Sequence, residues 1–209
     1  MLVRDFMTKR LRCVEEDEPI HTAERWMRKY KIRRLPVLSK GKLVGIVTWS
    51  DVQAALPSIA DLTQTPQQKL HIIENPVSLI MSKKVLTVHP DDRLTQAALL
   101  MAENKVAGLP VVDGDRLVGI LTETDVFKAF IRVLGVSGRS ERRVFPFDRG
   151  NETIREVLDR LDAKLLTVQS MVTYRDKDDG KRKLIVWAVE RGSAPRKSAR
   201  AKKAASGGS

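Results

Sequence analysis

The chain is built on a repeat. Residues Val3 to Leu56 align with Val77 to Phe130 at a constant offset of 74 positions and without a gap. Met7 falls on Met81, Val14 on Val88, Ala23 on Ala97, Met27 on Met101, and Leu35-Pro36-Val37 on Leu109-Pro110-Val111. The densest match sets Leu43-Val44-Gly45-Ile46-Val47-Thr48 against Leu117-Val118-Gly119-Ile120-Leu121-Thr122, with Asp51-Val52 and Asp125-Val126 following at the same spacing. A unit this short cannot bury a sufficient core alone. The copies are therefore expected to pack together and to leave two related clefts at their junction.

Each copy opens with a short apolar approach, Asp5-Phe6-Met7-Thr8 or Leu79-Ile80-Met81-Ser82, and a short strand ending at Val14 or Val88. Ile20, Ala23, Met27 and Tyr30, like Leu94, Ala97, Ala98 and Met101, recur at helical steps and mark a buried stripe in which both methionines fill space. Two β-rich segments follow, Leu35 to Leu38 and Leu43 to Val47 in copy one. The turn between them is Ser39-Lys40-Gly41-Lys42 there and Asp113-Gly114-Asp115 in copy two. A second helix runs from Trp49 to Leu56 before Pro57, and from Glu123 to about Leu134 before Gly135. The expected class is α/β (α+β), a tandem β-α-β-β-α pair.

This order, with Gly45-Ile46-Val47-Thr48-Trp49-Ser50-Asp51 and Gly119-Ile120-Leu121-Thr122-Glu123-Thr124-Asp125, resembles the cystathionine-β-synthase (CBS) domain family over about residues 1–134. The resemblance implies copy one at 1–56, a linker at 57–76 and copy two at 77–134. It also implies a disc-like module that pairs into homodimers and binds adenosine-containing ligands between the copies, such as AMP, ADP, ATP or S-adenosylmethionine. No cofactor is required.

Thr48 and Thr122 stand where a strand becomes a helix. The first turn there offers backbone N–H groups beside a hydroxyl, suited to phosphate, and Asp51 and Asp125 return to the same face, suited to ribose hydroxyls. The same Thr-x-x-Asp spacing also makes a capping box, a plain helix start. The resemblance adds the residues before the strand proline as the wall around a purine. In copy two these are Ala107, Gly108, Leu109 and Pro110, with Gly108 leaving room for a flat ring; copy one has Arg33, Arg34, Leu35 and Pro36, whose arginines either close the cleft or meet phosphates. Lys9, Arg10, Lys83 and Lys84 could also meet phosphates or simply be solvated. Leu86 and Thr87, with Arg12 and Cys13 opposite them in the repeat, are expected to line the cleft from the first strand.

The linker 57–76 carries Leu62, Leu70, Ile72 and Ile73, too apolar for a free tether, and is expected to form a short helix over the pair. After a flexible stretch at 135–142, residues 143–191 carry strand signals at Val144 to Phe147, Leu165 to Tyr174 and Leu184 to Val189. A helix through Ile154, Val157, Leu158 and Leu161 lies between the first two, and an Asp-Gly turn joins the last two. That β-α-β-β order resembles the front half of an ACT domain, and CBS pairs followed by such a segment resemble the acetoin-utilisation regulatory group. Residues 192–209 read as a disordered basic tail.

The net charge of +12 divides into +4 over 1–134, +3 over 135–191 and +5 in the tail. A nucleic-acid role rests only on the charge of the basic tail and of Arg25, Arg28, Lys29, Lys31, Arg33 and Arg34, for no helix-turn-helix or aromatic platform accompanies it. Catalysis lacks a motif: there is no Walker sequence, no His-Glu-x-x-His, and Cys13, the sole cysteine, has no histidine at a metal or nucleophile spacing. No apolar run spans a bilayer and no signal segment leads the chain, so a cytoplasmic, non-catalytic sensor with a possible protein target is expected, a ligand-free dimerisation module being the structural alternative.

Overall fold

The computed structural model describes residues 1–56, 65, 72–134, 141–146 and 154–190. The chain divides into two units, Met1–Lys128 and Ala129–Ser209. In copy one, strand β1 (Val14–Glu15) pairs parallel with β2 (Arg34–Ser39), which pairs antiparallel with β3 (Lys42–Thr48); helix α1 (Ile20–Tyr30) precedes β2 and α2 (Trp49–Ala55) follows β3. Copy two repeats this as α3 (Leu94–Asn104), β4 (Gly108–Asp113), β5 (Arg116–Thr122) and α4 (Glu123–Val133). The registers match residue for residue, Arg34 opposite Thr48 and Gly108 opposite Thr122, and both hairpins shift register at the equivalent step.

The turns differ. Lys40 and Gly41 both have positive φ (50° and 78°), the I′ pattern, whereas in copy two only Gly114 is positive (59°), as a II′ turn requires.

The first strand departs from expectation, because it begins at Val14 instead of ending there, and in copy two it shrinks to a single bridge between Val88 and Val111. The cause is one residue. Glu16 donates its amide to Leu38 at 2.9 Å and prolongs the ladder, but the equivalent residue in copy two is Pro90, which has no N–H to give.

The leading segments cross over. Thr8 exchanges backbone hydrogen bonds with Ile120 (2.9 and 3.1 Å), and Ser82 does the same with Ile46 (2.9 and 3.0 Å), so each copy's approach segment extends the other copy's hairpin. The short 3₁₀ turns Val3–Asp5 and Val77–Leu79 follow suit: Val3 N donates to Asp92 O, and Val77 N to Glu18 O. Val77 is fully buried in the copy-one core, among Val14, Ile20, Ala23, Met27, Leu35, Val37, Val47 and Val52. Met27 and Met101 are buried as expected.

In the second unit β6 (Glu141–Pro146), α5 (Ile154–Ala163), β7 (Leu166–Arg175) and β8 (Arg182–Glu190) give a three-stranded antiparallel sheet in the order β6-β8-β7. Val157 and Leu161 bury the apolar stripe of α5 against Leu166, Leu184, Val186 and Ala188. The β-α-β-β order agrees with the sequence reading, with β6 starting earlier, at Glu141. Residues 57–64 and 66–71, most of the expected linker helix, 135–140 of the flexible stretch and the basic tail 192–209 lie outside the described residues; the last two residues of the stretch, Glu141 and Arg142, open β6.

Candidate functional site

The crossover sets each strand-to-helix corner beside the other copy's approach segment and makes two related clefts. The first, of ≈ 630 Å³, has Thr8, Arg10, Leu11 and Arg12, then Lys31 to Arg34 and Pro36 from copy one, facing Ile120, Thr122, Glu123, Thr124, Asp125 and Lys128 from copy two. The second, of ≈ 790 Å³, has Ser82, Lys84, Val85 and Leu86, then Asn104 to Pro110 from copy two, facing Ile46, Thr48, Trp49 and Ser50 from copy one. Arg33 and Arg34 border both.

The expected site residues are thus divided between the clefts. Thr122 and Asp125 share the first with Arg34 and Pro36, whereas Gly108, Leu109, Pro110 and Leu86 share the second with Thr48. Three expected residues line neither cleft: Leu35 is fully buried in the core, and Thr87 and Asp51 stand outside the walls. Cys13 is also absent from both walls. It is half-buried, and burial, with Glu15 nearby, pushes its thiol up.

Both Thr-x-x-Asp corners are closed capping boxes. Thr122 donates its amide and hydroxyl to Asp125 Oδ2 (3.1 and 2.7 Å) and accepts the Asp125 amide (3.4 Å); Thr48 and Asp51 repeat this at 2.8, 2.7 and 3.3 Å. The first helical amides, Trp49 and Glu123, donate to Arg33 O and Ala107 O. Fewer backbone donors are therefore open to a phosphate than the bare spacing implies, because the cap takes them first. The capping does not exhaust the acid. Asp125 is buried on the wall of the first cleft, and its second oxygen, Oδ1, lies outside the cap, 3.9 Å from Lys128 Nζ.

Gly108 does not present open space. A Cβ placed on it would fall 2.1 Å from Arg34 Nη1, so the arginine side chain occupies the gap expected to receive a flat ring. Arg34 Nη1 is buried and has no hydrogen-bond partner among the described residues. Burial pushes the Arg34 guanidinium below its ordinary value; Glu123 opposes this and Arg33 adds to it. Arg12 stacks over Tyr30, 4.3 Å from the ring centroid, and fixes one basic wall of the first cleft.

Lys31 and Lys105, which the sequence reading did not assign to the clefts, border the first and second cleft in turn. Both end a helix with φ of 53°, and their equivalence in the repeat was the available signal. Among the described residues no group of three or more His, Cys, Asp or Glu could hold a metal ion, and no helix is long and apolar enough to cross a membrane.

The CBS domain model matches residues 3–58 and 77–132. The chain belongs to the CBS-domain family. The CBS pair is similar to three solved structures. One is a protein assigned to acetoin utilization (AcuB) from Vibrio cholerae, 29% identical, TM-score 0.55, covering 65% of this chain and 93% of that one. Another is the CBS domain pair of protein MJ0100 in complex with 5′-methylthioadenosine and S-adenosyl-L-methionine, 30% identical, TM-score 0.52, covering 62% and 95%. A third is CBSX2 in complex with AMP, 31% identical, TM-score 0.54, covering 63% and 97%. The last two of these CBS pairs thus hold adenosine-type small molecules.

Proposed function

We propose that this CBS pair is a non-catalytic sensor that binds an adenosine-containing ligand in the clefts between its copies, and that the second unit passes the change to a protein target. The observation that carries the reading is Asp125, a buried carboxylate on the wall of the first cleft whose Oδ2 is held by its own cap. A fixed acceptor of this kind suits paired ribose hydroxyls. The AMP and S-adenosylmethionine complexes of the similar pairs support the ligand class.

The partner proposed for the pair is a second copy of the chain, in the cytoplasm. Along α4, Phe127, Phe130 and Ile131 are exposed, an apolar row that one helix has no reason to show to water. The sheet of the second unit has β6 and β7 as its edges, and an ACT-like sheet completed across subunits is part of the same proposal.

Thermal shift and calorimetry with AMP, ADP, ATP and S-adenosylmethionine test the ligand reading. A ligand at about a hundred times its dissociation constant should stabilise the protein by about 2.7 kcal/mol, and Asp125→Ala should abolish the gain. No gain from any of the four would leave the structural dimerisation reading in its place.

A further inference from the structure

Arg34 stands where the two clefts meet. In the repeat its counterpart is Gly108, and the two residues face each other, the arginine filling the space that the glycine leaves. Its side chain borders both clefts, and its buried Nη1 has no acceptor among the described residues. A guanidinium keeps its charge in a protein and has donors arranged to meet two oxygens at once, so a buried N–H without a partner is a standing cost until an acceptor arrives. Burial already pushes this group below its ordinary value, and of the charged neighbours that act on it Glu123 favours the charge whereas Arg33 opposes it. The remaining charges on the two walls are mostly basic, with Lys84 and Lys105 in the second cleft and Arg10 and Lys128 in the first.

We propose that Arg34 is a single anion-binding arm shared by the two clefts, which selects adenosine ligands bearing a phosphate over neutral or sulfonium-bearing ones and makes the first anion bound weaken the binding of the second. The proposal rests on the adenosine reading of the same clefts and adds the chemistry of the ligand's charged end. A phosphate offers a guanidinium two acceptor oxygens on a net negative group, whereas the one carboxylate of S-adenosylmethionine is accompanied by an ammonium and a sulfonium cation, which walls so rich in lysine and arginine disfavour. One arm cannot make that contact in two clefts at once. The second phosphate therefore meets a site without its principal cation. Movement of the arm toward either phosphate also uncovers Gly108.

Titration calorimetry of the full chain with adenosine, AMP and S-adenosylmethionine, on the wild type, Arg34→Gln and Arg34→Lys, tests this. The wild type should bind AMP at least about tenfold tighter than adenosine, as one charge-assisted contact implies, in two unequal steps. Arg34→Gln should bring the ratio of AMP to adenosine affinity close to one, and Arg34→Lys should keep most of the preference. Ligand-free melting curves identify a glutamine variant that does not fold, in which case the unequal steps and the lysine variant, with one donor head in place of the fork, carry the comparison. An AMP preference unchanged in Arg34→Gln, or wild-type S-adenosylmethionine binding as tight as AMP, overturns the role of Arg34 and leaves the adenosine reading standing. Failure of all three compounds to bind any of the proteins overturns both.

Discussion

Met81 Sδ lies in the space that any side chain at Gly45 would need: a Cβ built on Gly45 falls 2.3 Å from it. Gly119 stands in the same relation to Met7, at 2.5 Å. The methionine of each approach segment is thereby laid on the glycine of the other copy's hairpin, beside the Thr8–Ile120 and Ser82–Ile46 hydrogen bonds. The two sequence signals that recur most plainly are halves of one contact.

Gly45→Ala should therefore destabilise the protein by about 1–3 kcal/mol, the usual range for overpacking. The thioether is flexible, but Ser82 O also lies 3.2 Å from the new Cβ and cannot retreat without breaking its bond to Ile46. Urea denaturation of Gly45→Ala, Met81→Ala and the double variant measures the coupling. Strictly additive losses would show that the two residues do not share the space.

Asp51 and Asp125 make the same cap but differ in what lies beyond it. Asp51→Ala should cost about 1 kcal/mol of stability, as loss of a cap does, and leave nucleotide affinity close to wild type, because Asp51 lines neither cleft. Asp125→Ala should lose a similar amount of stability and also lose binding. Equal loss of affinity in both variants would show that the cap, and not the carboxylate on the cleft wall, supports the site.

The fold was legible because the repeat states it twice: the hairpin register, the buried stripe of Ile20, Ala23 and Met27, and the capping corners are local and follow from spacing. The pairing of the copies was not. Nothing within Met7-Thr8 says whether it joins its own hairpin or its neighbour's, and so the sequence could not tell that Thr122 would face Arg34 while Gly108 faced Thr48. The filling of Gly108 by Arg34 was hidden for the same reason, since an absent side chain marks a close approach without naming what approaches.

Cys13 should be a slow thiol. Its ordinary value is 9.0, and burial raises it. At pH 8 the thiolate is then below the roughly one-in-ten share of an ordinary thiol. Because the folded value is the raised one, the folded state holds its proton longer. The thiol leaves stability unaffected below about pH 9 and lowers it as pH rises through the raised value. Iodoacetamide should modify the native protein more slowly than the protein in urea at equal pH, and Cys13→Ser should remove the corresponding part of the decline at high pH. Equal alkylation rates in the two states would refute the shift.

Deleting residues 1–7 should loosen copy two and not the copy to which they belong in sequence. Val3 is fully buried, its amide donates to Asp92 O at 2.9 Å, that of Arg4 to Pro90 O at 2.9 Å, and Met1 O accepts from Leu94 N, the first residue of α3. Removing the segment strips a core side chain and leaves the start of α3 without an acceptor. Val3→Ala alone should cost about 2 kcal/mol. Hydrogen exchange measures where the loss falls: amides of Leu94–Asn104 and Arg116–Thr122 should lose protection, while those of Arg34–Ser39 and Lys42–Thr48 keep most of theirs. Loss confined to the copy-one hairpin would mean that the crossover does not exist in solution, and with it would go the assignment of Thr122 and Arg34 to one cleft.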